Sequence, residues 1–285
     1  MKLGVSSYSF RKYILKEKCD YIKICDLAKE MGFDGIEFTP LDDAAYGITT
    51  DPIKTAKEIR EHCEKIGLEI CAYTVGVDLA GEKGDEELKK LLGYIDVCEA
   101  LGAKTLRHDV CYALPKEHLT SYRDAIKVLV PRIRKATEYA AKHGIRTCTE
   151  NHGYIFQAPE RVEELILAVN HKNYGWLCDM GNFLCADADP VKAVSIAAPY
   201  TFHVHAKDFL FKSGETGICP KGFFGTGGGN FIRGTVIGHG VVPVKQCVSI
   251  FKKAGYEGWL SLEFEGMEDC LEGIEAGLDY LKKIV

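Results

Sequence analysis

Two kinds of apolar pattern alternate along the chain. Short, continuous runs of aliphatic, β-branched and aromatic residues occur at 3–9 (LGVSSYS), 35–39 (GIEFT), 68–75 (LEICAYTV) and 104–110 (KTLRHDV). Four more follow at 145–151 (IRTCTEN), 174–179 (YGWLCD), 200–207 (YTFHVHAK) and 258–265 (GWLSLEFE). Runs that do not alternate with polar residues are those of parallel strands covered on both faces. Between them, apolar positions recur at helical spacing, as in 20–32, 51–67, 85–102 and 122–144. Gly32, Gly67, Gly102, Gly144 and Gly255 each stand just ahead of the next strand. That is the place of the glycine that ends a helix in the left-handed conformation. Pro131 lies inside the longest helical stretch and predicts a kink or a new first turn there.

Eight strands and eight helices in strict alternation predict a (β/α)8 barrel, and 285 residues suit one such domain spanning 1–285. An open doubly wound sheet is the rival, but no G-x-G-x-x-G follows the first strand. Two stretches, GFDGIEF at 32–38 and GYEGWLSLEFEG at 255–266, share a Gly-aromatic-acid-Gly entry into a strand, as repeated βα units would. Residues 209–242 are Gly-rich and carry no helical pattern, which predicts a long loop after the seventh strand. In a barrel that loop lies on the C-terminal face, where active sites are built.

Composition narrows the partners. A hydrophobic fraction of 46% fills a large core, and the formal net charge is −5, from 36 basic and 41 acidic residues. No basic cluster is present to neutralise phosphates, so nucleic acid is not an expected partner. No apolar run is long enough to span a membrane and no apolar leader opens the chain, so no membrane association is expected. The twelve cysteines include no C-x-x-C pair, and several sit in apolar strand-like runs. They read as free thiols in a reduced, cytoplasmic protein rather than as a disulfide framework. A homo-oligomer is left open.

The candidate chemistry sits at strand ends. Glu150 ends the fifth strand, Asp179 the sixth, His205 nearly ends the seventh and Glu263 the eighth. Side-chain parity puts Cys148 with Glu150, Leu177 with Asp179, His203 with His205, and Ser261 with Glu263. Four successive strands therefore aim three carboxylates and an imidazole at one rim. Like charges so crowded raise one pKa strongly, and a divalent cation relieves that repulsion. No basic residue is expected close beside the set, which strengthens the case for a metal. Oxygen-rich ligation with one imidazole suits Mn²⁺ first, with Mg²⁺, Co²⁺ or Zn²⁺ as alternatives.

Around these residues the motifs TENHG (149–153), LCDMGN (177–182), HVHAKD (203–208) and LSLEFEGMED (260–269) stand together. With GFDGIEF and GHGVVPV, they resemble the xylose isomerase-like TIM-barrel superfamily, and more closely its sugar phosphate isomerase/epimerase branch. The resemblance implies that Glu150, Asp179, His205 and Glu263 bind one divalent metal. It also implies that Glu150 and Glu263 are the catalytic acid/base pair acting on a sugar or sugar derivative through an enediolate. One departure concerns Asn182, where many sugar epimerases carry a histidine. A metal-dependent lyase or dehydratase of a keto-sugar or keto-acid is therefore the alternative to an isomerase or epimerase. An abasic-site endonuclease is disfavoured by the acidic charge and by only nine histidines. A non-catalytic binding barrel is the remaining reading.

Further substrate contacts are expected from His152, Arg107, Lys207, Asn182, Glu265 and Tyr8. Each has a plainer account: a loop cap for His152, an ion pair with Asp109 for Arg107, a salt bridge to Asp208 or Glu265 for Lys207, and a core position for Tyr8. Glu265 shares parity with Glu263 and could replace it as ligand. His203 is expected to be a hydrogen-bonded residue one layer below the metal. His239 and Arg233 either close over a ligand or are solvated in the long loop.

Overall fold

The computed structural model describes residues 1–42, 51–114 and 121–285. Eight parallel strands close into a barrel: β1 (Lys2–Ser6), β2 (Gly35–Phe38), β3 (Glu69–Val75), β4 (Thr105–His108), β5 (Arg146–Glu150), β6 (Tyr174–Asp179), β7 (Thr201–Ala206) and β11 (Trp259–Leu262). They follow one another around the wall in chain order, and β1 pairs with β11 to complete it. Helices α2 (Tyr21–Met31), α3 (Pro52–Ile66), α4 (Gly84–Leu101), α5 (Tyr122–Lys142), α6 (Pro159–Val169), α7 (Pro190–Ala197), α8 (Val244–Lys253) and α9 (Cys270–Lys282) form the shell. A short α1 (Arg11–Glu17) precedes them. The fold is the expected (β/α)8 barrel.

Local chemistry sets the helix ends. Asp51 and Asp189 accept backbone N–H groups of the first turn, and each is followed by proline, whose missing N–H costs nothing there. Gly32, Gly67, Gly102, Gly144 and Gly255 all have positive φ, between 67° and 91°, as their positions in the sequence predict. No new helix begins at Pro131; α5 runs through it from Tyr122 to Lys142. The strand ends are shorter than the apolar runs suggested. Tyr8 lies in a 3₁₀ turn after β1, and Glu263 and Glu265 lie just beyond β11.

The Gly-rich segment is not an irregular loop. β8 (Asp208–Lys212), β9 (Phe224–Gly225) and β10 (Phe231–Thr235) form a small antiparallel sheet in the order β8-β10-β9. Its strands DFLFK and FIRGT are short and carry no clean alternation of apolar and polar positions. Two aspartates pin it. Asp187 accepts from Thr226 Oγ1 (2.7 Å), Asn230 Nδ2 (2.8 Å) and the Gly228 N–H. Asp208 accepts the N–H groups of Phe209 (2.8 Å), Gly238 (2.9 Å), Gly240 (2.9 Å) and Val242 (3.0 Å). The expected Lys207–Asp208 bridge does not form, because these four amides take up the Asp208 carboxylate.

Replacing Asp208 by alanine leaves several buried donors without an acceptor at once. Asp208→Ala should lower the unfolding free energy by about 2–4 kcal/mol, with Asp208→Asn in between. Urea unfolding checks this, and a parent-like midpoint for Asp208→Ala would refute the role given to the carboxylate.

Candidate metal centre

The C-terminal ends of β5, β6, β7 and β11 converge as their parity predicts. Asp179 pairs in register with His205, and His205 with Ser261, so neighbouring strands deliver their groups at one level. Ligand atoms of Glu150, Asp179, His205 and Glu263 all lie within 4.8 Å of one another. His205 Nδ1 is 3.9 Å from Glu150 Oε1, 3.8 Å from Asp179 Oδ2 and 3.6 Å from Glu263 Oε2. Both His205 Nδ1 and Asp179 Oδ2 are buried without a hydrogen-bond partner. The other Asp179 oxygen is committed, accepting the N–H groups of Gly181 (2.8 Å) and Asn182 (2.9 Å).

The expectation that no cation stands near these carboxylates is wrong. Arg107, at the end of β4, reaches Glu150 Oε2 at 2.6 Å and Asp109 Oδ1 at 2.7 Å. Lys207, just after β7, lies 2.5 Å from Glu263 Oε2 and 3.4 Å from both Asp179 Oδ2 and Glu265 Oε2. Barrel closure brings these side chains together across positions far apart in the chain. Asn182 joins the two halves: its Nδ2 donates to Glu150 Oε1 (2.8 Å) and its Oδ1 accepts from Lys207 (3.3 Å).

Titration follows this geometry. Burial, partly offset by Lys207, raises the Asp179 pKa to about 6. For Glu263, burial is outweighed by Lys207 and His205, which hold it well below the usual carboxylate range. Lys207 stays charged despite burial because Glu263, Asp179 and Glu265 surround it. His205 is likewise held above its usual range by Glu37 and Glu263 against the cost of burial.

Glu37 was not anticipated. It is fully buried at the end of β2, with His203 Nε2 2.7 Å from Oε2 and His205 Nε2 2.8 Å from Oε1. Anchored on its Nε2 side, the His205 ring turns Nδ1 towards the carboxylates. His203 also meets Ser261 Oγ (3.0 Å), which fits its expected place one layer down. The ligand atoms of Glu37, Cys71 and His203 also cluster within 4.8 Å, but burial keeps the Cys71 thiol protonated. The only sequence signal for Glu37 is a lone acid inside the buried run GIEF.

Asp109 organises the opposite side. Besides Arg107 it accepts from Tyr112 Oη (2.7 Å) and lies 2.9 Å from His152 Nδ1. Arg107 thus serves its expected ion pair and a catalytic candidate together. Tyr8 lines the same cavity, its hydroxyl donating to Glu265 (3.3 Å). Glu265 is 39% exposed and stands outside the four-residue cluster, which includes Glu263. The cavity, of about 720 Å³, includes His152, Arg107, Lys207, Asn182, Glu265 and Tyr8 in its lining. Arg233 instead reaches Glu268 (3.5 Å), and neither it nor His239 borders the cavity.

A closed parallel barrel with a carboxylate–imidazole cluster at the C-terminal rim defines a class of enzyme-like scaffold. A family description, xylose isomerase-like TIM barrel, matches residues 25–284, and the chain belongs to that family. A "Probable ketose 3-epimerase" of Synechocystis sp. is 24% identical over 283 residues, covering 94% of this chain and 86% of that protein. Among solved structures, a zinc-bound IOLI protein superposes with a TM-score of 0.76 at 19% identity, over 100% of this chain and 98% of that one. A probable 3-DHS dehydratase, AsbF, from Bacillus anthracis gives 0.76 at 18%, over 99% of each chain. No helix among the described residues is long and apolar enough to cross a membrane.

Removing the guanidinium strands two buried carboxylates. Arg107→Met should cost about 3–5 kcal/mol of stability, and adding Glu150→Gln should recover part of it. Chemical denaturation of the three variants measures the coupling, and strictly additive losses would show that the pair is not energetically real.

Proposed function

We propose that the protein is a divalent-metal-dependent isomerase or epimerase of a sugar or sugar derivative. The observation that carries this reading is the convergence of His205 Nδ1 and Asp179 Oδ2, both buried without a hydrogen bond and 3.8 Å apart, beside Glu150 and Glu263, with Lys207 Nζ 3.4 Å from Asp179 Oδ2. A buried polar atom without a hydrogen bond costs free energy, and a cation would give His205 Nδ1 a partner and Asp179 Oδ2 a closer one than Lys207. Three carboxylates and one imidazole suit Mn²⁺, Mg²⁺ or Zn²⁺. When bound, such an ion supplies Lewis-acid polarisation of a carbonyl and of the neighbouring hydroxyl.

The chain's own groups account for the proton traffic. Glu150 and Glu263 come from strands separated by β6 and β7, so they address a substrate carbon from two directions. One removes the proton next to the carbonyl and the other returns it, with inversion for epimerisation or at the neighbouring carbon for isomerisation. Arg107 and Asn182 fix the Glu150 carboxylate through both oxygens. Lys207 fixes Glu263 and presents positive charge where an enediolate oxygen would develop. The similarity to a ketose 3-epimerase over most of the chain supports the same reading.

A second reading, β-elimination, is favoured by one feature. His152 is held through Nδ1 by Asp109 and remains 43% exposed at the cavity wall, placed to protonate a departing hydroxyl. Both readings share the metal and the base.

Chelation should abolish exchange of a substrate carbon-bound hydrogen with D₂O, and Mn²⁺ should restore it. Glu150→Gln should slow that exchange by about 10²–10⁴-fold. Mass spectrometry of the product separates the two readings, because elimination loses water and epimerisation conserves mass. Exchange that survives both chelation and the substitution would sink the proposal.

A further inference from the structure

The cavity is built for more than a polyol. Beside its charged floor runs an apolar wall formed by Tyr154, Cys185, Phe209 and Phe224. Phe209 and Phe224 come from the inserted antiparallel sheet and meet edge to face, with ring centroids 6.0 Å apart. Cys185 packs with them in a small core separate from the main one. Tyr154 completes the wall, and its ring is 56% exposed. Its backbone has φ 67°, a left-handed conformation that a bulky residue adopts only at a cost. An exposed aromatic ring held in a strained backbone at a cavity mouth is a feature the fold does not need.

Charge restricts the ligand from the other side. The lysine and arginine lining the cavity, Lys207 and Arg107, are each already paired with two or more carboxylates. His152, another basic group in the described lining, is tied to Asp109, so each of these three groups already has an acid partner, while Glu150, Glu263 and Glu265 repel a phosphate or carboxylate group. A cavity of about 720 Å³ also falls in the range that encloses ligands larger than one hexose.

We propose that the Tyr154–Phe224 wall is a subsite for an apolar or ring substituent carried by an uncharged sugar. The substrate is then a neutral keto-sugar bearing an apolar or ring substituent, its carbonyl free for the proton transfer above, rather than a sugar phosphate or a keto-acid. This rests on the sugar reading above and narrows it. Sugar rings and aromatic aglycones present C–H or π faces that stack on aromatic side chains.

Calorimetry on the metal-loaded protein tests it with phenyl glucosides and galactosides, the parent hexoses and glucose 6-phosphate. At least one phenyl glycoside should bind about tenfold tighter than its parent hexose, and glucose 6-phosphate should bind no better than glucose. Tyr154→Gly, which suits a positive φ, should remove that advantage, leave hexose binding unchanged and cost little in melting temperature. Phe224→Leu should act in the same direction. Equal affinities, preference for the phosphate, no binding by any phenyl glycoside, or indifference to both substitutions would overturn the subsite. The D₂O exchange experiment is independent of these: exchange without aryl preference removes only the subsite, whereas aryl preference without exchange removes the isomerase reading.

Discussion

The rim of this barrel is organised by the need to bury several carboxylates at one point. Glu37, Asp109, Glu150 and Asp179 are each under 6% exposed, and Glu263 adjoins them. An uncompensated buried carboxylate would protonate or unfold the site. Arg107 answers that demand on one side and Lys207 on the other, with Asn182 between them. What these cations leave unsatisfied is small and localised. Where the four clustered residues face one another, it is His205 Nδ1 and Asp179 Oδ2, side by side, the latter 3.4 Å from Lys207. The site is thus polarised towards a single further positive charge instead of being generally acidic.

The same arrangement divides labour between the two glutamates. Glu150 is held by a fixed guanidinium and an amide, both of which also grip neighbours. Glu263 is held by a lysine that three carboxylates share. A guanidinium keeps its proton throughout, whereas an ammonium can pass one on. Lys207 is itself held in its charged form by those carboxylates, so the difference lies in geometry: a planar fork fixes Glu150, while a point charge holds Glu263.

Much of this was legible in the sequence, for a definite reason. Strand-end parity depends only on local spacing, so Glu150, Asp179, His205 and Glu263 could be placed on one rim without knowing which strands touch. The positive-φ glycines after the helices are equally local. Pairings that depend on closure were not legible. Nothing near Arg107 in the chain announces Glu150, and nothing near Lys207 announces Asp179. Glu37 was hidden because one acid in a four-residue strand makes no pattern. The inserted sheet was hidden because its strands are short and carry no clean period of two.

That insertion links stability to specificity. Asp187 and Asp208 spend their carboxylates on backbone amides and side chains of the segment, which gives an otherwise glycine-rich stretch a single shape. Only then can Phe209 and Phe224 hold a fixed face to the cavity. The barrel supplies a charged floor whose logic is set by burial, and the insertion supplies an apolar wall whose logic is set by turn chemistry. Phe209 and Phe224 come from the insertion, whereas Tyr154 and Cys185 follow the floor residues Glu150 and Asn182 closely in the chain, so wall and floor are tied together through the loops after β5 and β6.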